Sequence, residues 1–243
     1  MFQPNAGYGL PTVVKNLLII NVVCFLGTLV FVPANSLFGA FYPDSPFFKI
    51  WQPITYMFMH ADLGHIFFNM FALFMFGPVL ENMLGEKRFL IFYFVSGLGA
   101  LLIQYGVQAI EVYSAVNTVA PGNHLHFDLL TNKVFTNHPG ITREALGTLG
   151  AVYTTNIVGA SGAIYGVLLG FGFLFPNAKL MLLFLPFPIK AKYFIPILII
   201  LEIVLGFTRI SGSVAHFAHV GGALFGYIML KIWKIRRPGG MYY

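Results

Sequence analysis

The chain has 243 residues, of which 58% are hydrophobic and only 9% are charged. Soluble domains carry about 25% charged residues, so a water-facing surface over the whole molecule is excluded. The net charge of +6 does not indicate nucleic acid, because the basic residues form no stripe with interleaved aromatics and sit instead at the ends of apolar runs.

A membrane span needs about 20 mainly apolar residues. Six runs qualify, at roughly 13–32, 64–84, 89–110, 158–175, 193–208 and 214–234. They predict an all-α membrane protein with a single domain of six transmembrane helices. The first run is long for a signal peptide and its only leading charge is Lys15, so it reads as an anchor. Cys24 lies within it and reads as a packing residue; one cysteine supports no disulfide framework.

The segment from Pro33 to roughly Leu63 is rich in aromatics and proline, as expected of a loop lying in the membrane interface. Residues 111–156 form a polar insertion between the third and fourth spans. It carries His124, His126, Asp128, His138, Arg143 and Glu144, with turn signals at Pro121-Gly122 and Pro139-Gly140. It reads as a lid, a selector of substrates or a passive appendage, and its histidines are also metal-binding residue types. Leu180–Pro188 is apolar but broken by Pro186 and Pro188, and is expected to lie in the interface.

With six spans threaded, ten basic residues (Lys15, Lys87, Arg88, Lys179, Lys190, Lys192, Lys231, Lys234, Arg236 and Arg237) share one side. Lys49, Lys133, Arg143 and Arg209 take the other. Cytoplasmic loops carry the excess of Lys and Arg, so both termini are expected in the cytoplasm and the protein in a plasma (inner) membrane. The second, fourth and sixth spans then run inward. His65, Ser161 and His219 all fall within roughly 5–10 Å of the outer ends of those spans, at about 1.5 Å per residue. Polar groups at such depths are costly and point to function.

Glycines recur every four residues at Gly162, Gly166 and Gly170 and again at Gly222 and Gly226. Small residues at this spacing let backbones approach, which predicts that the fourth and sixth spans pack together and bring Ser161 to His219. Such faces also occur for packing alone. His65 and Asn69 share one helical face. With the Ser161 backbone N–H they could donate to a developing oxyanion, or they could simply bond a neighbouring helix. Glu202, in the middle of the fifth span, could mark an ion or proton path, or it bonds a neighbouring helix or faces a water-filled pocket.

Other chemistries fit poorly. A zinc protease wants His-Glu-x-x-His, and the chain has no His-Glu pair; His216 and His219 share a helical face but show no evident third ligand. Asp44, Asp62 and Asp128 all lie outside the spans, which excludes an intramembrane aspartate pair. A small transporter or channel, which Glu202 could serve, is the alternative from another class, although no inverted repeat or pair of broken helices is evident.

Three motifs carry a resemblance to the rhomboid family of intramembrane serine proteases: Gly159-Ala160-Ser161-Gly162, His219-Val220-Gly221-Gly222 with Gly226, and His65-Ile66-Phe67-Phe68-Asn69. The resemblance implies a rhomboid-like bundle in the lipid bilayer. It also implies hydrolysis of peptide bonds in or near transmembrane segments of substrate proteins, with no metal or organic cofactor. Ser161 is then the nucleophile and His219 the general base of a dyad that uses no third acid. His65 and Asn69 match the oxyanion-stabilising pair, Tyr165 the tyrosine packed on the catalytic ring, and Gly159, Gly162 and Gly222 the supporting glycines. Glu81 matches a structural glutamate.

Trp51-Gln52 stands where the family often has Trp-Arg, so an anchor of the first loop is missing, and the family usually has a short connection in place of residues 111–156. His60 and His216 read as supporting or water-contacting groups; His216 competes with His219, but only His219 has the glycine spacing. A non-cleaving rhomboid-like escort is the alternative, although such members typically lack the serine or the histidine that this chain keeps.

Overall fold

The computed structural model describes residues 9–128, 133–136, 140–181, 187–208 and 215–238; His138, Pro139, Pro186 and Arg209 lie outside them. The chain is mostly helical and the long helices follow the apolar runs. Helix α1 (Thr12–Val30) leads to short α2 (Ala34–Phe38) and α3 (Gln52–Thr55), then α4 (Leu63–Leu84) and α5 (Glu86–Val116). A hairpin of β1 (Leu125–Asp128) and β2 (Lys133–Thr136) precedes α6 (Arg143–Thr154) and α7 (Ser161–Leu174). A two-residue ladder of β3 (Lys179–Leu180) on β4 (Ile189–Lys190) flanks the Leu180–Pro188 piece and precedes α8 (Ala191–Thr208) and α9 (His216–Ile232).

Among the described residues, four helices, α1, α4, α5 and α8, are long and apolar enough to cross a membrane, and α7 is a shorter apolar helix. Their outward faces carry Ile19, Val23, Leu26 and Leu29 on α1 and Ile197, Ile200, Leu201 and Val204 on α8, all exposed. Apolar area in that quantity belongs in lipid, at about 25 cal/mol per Å² against water. The molecule is an integral membrane protein.

Two helix boundaries depart from expectation. The fourth apolar run begins at 158, but helix α7 begins only at Ser161, because Gly159 takes φ +130°. It ends at Leu174, two residues before Pro176, so it has only 14 residues. Helix α5 runs on past 110 to Val116, where Asn117 turns left-handed with φ 57°. Residues 111–116, expected in the polar insertion, are therefore helical.

Local chemistry sets the other ends. The Asp62 side chain accepts from the His65 N–H at 2.8 Å and caps α4. No residue of its own caps α1. Glu81, buried in α4, accepts instead from Val13 N–H at 2.9 Å and Val14 N–H at 2.8 Å, placing a carboxylate on the positive end of that helix. This supplies a physical reason for the structural glutamate.

Helix α7 lies at the centre, against α4, α5, α8 and α9, and the core around it includes Leu73, Leu80, Phe89, Phe92, Tyr93 and Val167, each 0% exposed. The glycine faces explain how close α7 and α9 come. A Cβ built on Gly222 would stand 1.8 Å from the Gly162 carbonyl oxygen, and one on Gly226 would stand 2.9 Å from the Gly166 Cα. On α7 the added Cβ atoms would meet other helices first: Ala100 and Ser96 of α5 from Gly162 and Gly166, and Leu80 and Phe92 of α4 and α5 from Gly170.

The first loop is anchored without the arginine. Gln52 is 0% exposed. Its amide oxygen accepts from Phe41 N–H at 3.3 Å and Lys49 N–H at 3.0 Å. Its amide nitrogen donates to the Leu37 carbonyl at 3.3 Å and the Phe47 carbonyl at 3.0 Å. One neutral side chain thereby ties four points of the loop.

The insertion is docked on that loop. Leu125, Leu149, Val152 and Tyr153 form a second small core with Tyr42 and Val112. Asp44 Oδ2 accepts from Tyr153 Oη at 2.5 Å and from Gly122 N–H at 2.8 Å, and Ser45 Oγ donates to the Tyr153 carbonyl at 2.7 Å. Burial, with the Asp44 carboxylate adding to it, holds the Tyr153 phenol in its protonated form.

Candidate active site

A cavity of about 610 Å³ opens between the start of α4, the start of α7 and the first turns of α9. Ser161, His219, His65, Asn69, Tyr165 and Gly159 all line it, so the expected site residues come together. Gly162 lines it as well, and Gly222 stands behind it against the Gly162 backbone.

Ser161 opens α7, and its Oγ stands 2.8 Å from His219 Nε2. The residue before it, Ala160, offers no side-chain cap, so the first-turn N–H groups of α7 keep the free donor character of any helix start. Gly159 must be glycine for two reasons. Its φ of +130° suits no side chain, and an added Cβ would meet His65 Nε2 at 2.7 Å.

His65 and Asn69 face the same space. His65 Nδ1 accepts from the Ala61 N–H at 3.4 Å. A neutral imidazole that accepts at Nδ1 carries its proton on Nε2, so Nε2–H is presented towards Gly159 and Ser161. Asn69 is 6% exposed, and its Nδ2 has no hydrogen-bond partner among the described residues. Buried donors are nearly always satisfied, so an unpaired one beside a serine hydroxyl marks a place where an oxygen can be held.

His60, 0% exposed, packs edge-on against the His65 ring with centroids 5.1 Å apart, and neither of its ring nitrogens has an aligned hydrogen bond among the described residues. Burial first, then the nearby His65, pushes its pKa down to about 4. It supports His65 as an uncharged wall.

The Tyr165 ring lies flat on His219, with centroids 4.4 Å apart and planes 3° from parallel. Its hydroxyl donates to Glu202 Oε1. Glu202 Oε2 stands 2.6 Å from His216 Nδ1 and 3.0 Å from His219 Nδ1. The His219 contact is close but bent, so Nδ1 lacks an aligned hydrogen bond. Glu202 therefore bonds neighbouring helices, one of the roles expected of it, and its carboxylate is enclosed by three side chains rather than aimed along a path.

These residues also supply the third metal-ligand type that was not evident beside His216 and His219: their donor atoms all lie within 4.8 Å of one another. The separations of 2.6 and 3.0 Å from the carboxylate are nevertheless hydrogen-bond lengths. Ligands that share a zinc ion at about 2.0–2.1 Å stand roughly 3.3 Å apart. The cluster fits protons between its members better than a metal.

His216 points at Glu202 while His219 faces Ser161, which separates the two competing histidines. The role of Glu202 beside His219 and that of Gln52 were not legible in the sequence. A signal for α6 was present and passed over: Thr142 as its cap, followed by Ala145, Leu149, Val152 and Tyr153 at helical spacing.

The chain matches the family model of the rhomboid domain over residues 48–120 and 124–235. It is 29% identical over 212 residues to an uncharacterized mitochondrial rhomboid protein of Schizosaccharomyces pombe, covering 76% of this chain and 52% of that one. It is 27% identical over 230 residues to the rhomboid protease AarA of Providencia stuartii, covering 86% and 68%. To the human mitochondrial presenilin-associated rhomboid-like protein it is 28% identical over 190 residues, covering 74% and 38%. The chain thus spans about half the length of the Schizosaccharomyces relative. With the family model matching well over half of its residues, the chain belongs to the rhomboid family.

Proposed function

We propose that the protein is an intramembrane serine endopeptidase that cleaves membrane proteins in or near their transmembrane segments. The observation that carries the reading is the 2.8 Å approach of Ser161 Oγ to His219 Nε2 inside a cavity where Asn69 Nδ2 has no partner among the described residues. His219 Nε2 takes the Ser161 proton as Oγ attacks the substrate carbonyl. His65 Nε2, Asn69 Nδ2 and first-turn N–H groups of α7 hold the resulting oxyanion; such donors contribute roughly 3–4 kcal/mol each. The imidazolium returns its proton to the leaving amine as the C–N bond breaks. Water drawn from the outer face then hydrolyses the acyl-enzyme.

The six apolar helices form the membrane bundle in this reading, with both termini on one side. That orientation rests on the distribution of Lys and Arg. The expectation of a plasma membrane has no support from the relatives, several of which carry "mitochondrial" in their names. Substrate backbone must unwind to reach the serine, and unpaired backbone is intolerable in lipid. Substrates with Gly or Pro near the outer face of a span are therefore preferred, and replacing those residues by leucine should slow cleavage.

The decisive experiment incubates purified protein with a single-span substrate in liposomes, beside Ser161→Ala and His219→Ala. Cleavage and fluorophosphonate labelling by the parent protein, with both lost in Ser161→Ala, is the expected result. Cleavage that survives Ser161→Ala would overturn the assignment, and a parent protein that binds the substrate without cutting it would indicate an escort.

A further inference from the structure

Of the 18 residues of α8, only Ala191, Ile195 and Glu202 are buried. An ionisable residue among so few inward-facing positions is expensive in a membrane helix and is kept only with partners. Glu202 has three: Tyr165 of α7 on one oxygen, and His216 and His219 of α9 on the other.

We propose that Glu202 is the third member of the site, a positioning residue that orients the His219 ring and fixes its proton on Nδ1. This rests on the reading of Ser161 and His219 as nucleophile and base. A carboxylate has no proton to give, so a ring that faces it through Nδ1 is favoured with its proton on that nitrogen. For His219, Nδ1–H leaves Nε2 as the acceptor, which is the state needed to take the Ser161 proton. The opposite tautomer would point an N–H at the hydroxyl and hold no base.

The arrangement also limits how the ring can turn. Tyr165 covers one face of the His219 ring, and its own hydroxyl is held by Glu202, so the carboxylate locates both the edge and the stacked face. His216 shares Oε2 from one turn earlier on α9 and holds the carboxylate in place at 2.6 Å. The bent 3.0 Å contact to His219 suits a resting site, since such bonds commonly tighten only when substrate is bound and positive charge develops on the ring. In that state Glu202 faces an imidazolium and stabilises it directly. Proton traffic stays between Ser161, His219 and the leaving amine, and Glu202 is not protonated.

The test is Glu202→Gln in proteoliposomes, read as kcat and KM for a single-span substrate, with the ring ¹⁵N shifts of His219 measured alongside. The glutamine is isosteric but places an amide N–H where the carboxylate accepted, and so favours the wrong tautomer. Loss of the acid in a comparable Ser-His-Asp site lowers kcat by about 10⁴-fold with geometry intact. A fall of about 10²-fold or more in kcat is expected here with KM little changed, because Glu202 does not line the cavity. Glu202→Asp, which keeps the charge, should recover part of that loss.

The parent protein alone should show His219 protonated at Nδ1, a reading that needs no variant to fold. Protonation at Nε2 in the parent protein, or full kcat in Glu202→Gln, would overturn the proposal. If Ser161→Ala abolishes cleavage while Glu202→Gln retains it, only the role of Glu202 fails. If Ser161→Ala still cleaves, the reading beneath it fails as well.

Discussion

Replacing Gly222 by alanine tests whether the α7–α9 approach is what assembles the site. The added Cβ would lie 1.8 Å from the Gly162 carbonyl oxygen, 2.7 Å from its carbonyl carbon and 3.1 Å from its Cα. All three are backbone atoms, so no side chain can move aside. A carbon–oxygen contact settles at about 3.3 Å, so α9 must retreat from α7 by roughly 1.5 Å. His219 sits one turn before Gly222 on the same helix, and Ser161 adjoins Gly162. The Ser161–His219 distance then opens from 2.8 Å to about 4 Å, beyond the reach of a proton transfer.

A misplacement of that size costs about 10²-fold in rate. The overpacking itself should cost about 1–3 kcal/mol of stability. Gly106 is the control, because an alanine there meets nothing within 4 Å. Gly106→Ala should keep full turnover. The assay is cleavage of a single-span substrate in liposomes, beside thermal unfolding in detergent. Gly222→Ala with parent-like turnover and an unchanged unfolding midpoint would refute the claim that backbone contact between these helices holds the serine against the histidine.

Gln52→Leu should lower the unfolding midpoint sharply and reduce activity, since it strands the Phe41 and Lys49 N–H groups and the Phe47 carbonyl, while the Leu37 carbonyl keeps Trp51 Nε1–H at 3.1 Å; each buried unpaired group costs about 1–3 kcal/mol. Parent-like unfolding would show that the loop is held elsewhere. Glu81→Ala should cost about 1.5–3 kcal/mol by uncapping α1, and hydrogen exchange at Val13 and Val14 should accelerate while α4 stays protected.

His60 makes stability depend on pH in a defined direction. Its folded pKa of about 4 lies below the ordinary histidine value of 6.5, so the unfolded chain binds the extra proton first. Stability is complete above pH 6.5 and declines as pH falls toward 4. The total loss is about 3 kcal/mol, at 1.36 kcal/mol for each pH unit separating the two pKa values. His60→Phe should flatten the decline seen between pH 7.5 and 5. An equal decline in that variant would place its source in another group.

What could be read in advance follows from how far each interaction reaches along the chain. Ser161, Gly159 and Gly162 act within four residues of one another, and the glycines are dictated by local backbone geometry and by a neighbouring backbone at contact distance. Such requirements show directly as residue type and spacing. The same holds for His65 and Asn69, one turn apart on α4, and for the glycines of α9. Span ends were less legible, because hydropathy continues where the backbone turns. Val158 is apolar, but Gly159 already breaks the helix, and 111–116 is polar enough to look like loop while no residue before Asn117 stops α5.

Glu202 shows the other limit. Hydropathy marks a charge inside α8 but not the direction it faces, because α8 is apolar on all sides and only three of its residues are buried. A helix with one apolar stripe announces its inward face; a helix facing lipid over most of its circumference does not. The rotation of α8 is set by the carboxylate itself, through contacts to residues 14, 17 and 37 positions away. The contact that orients the helix and the contact that orients the histidine are therefore the same. A change at position 202 should be felt in the packing of α8 and in the tautomer of His219 together, whereas a change at an outward α8 residue such as Ile200 or Val204 should touch neither.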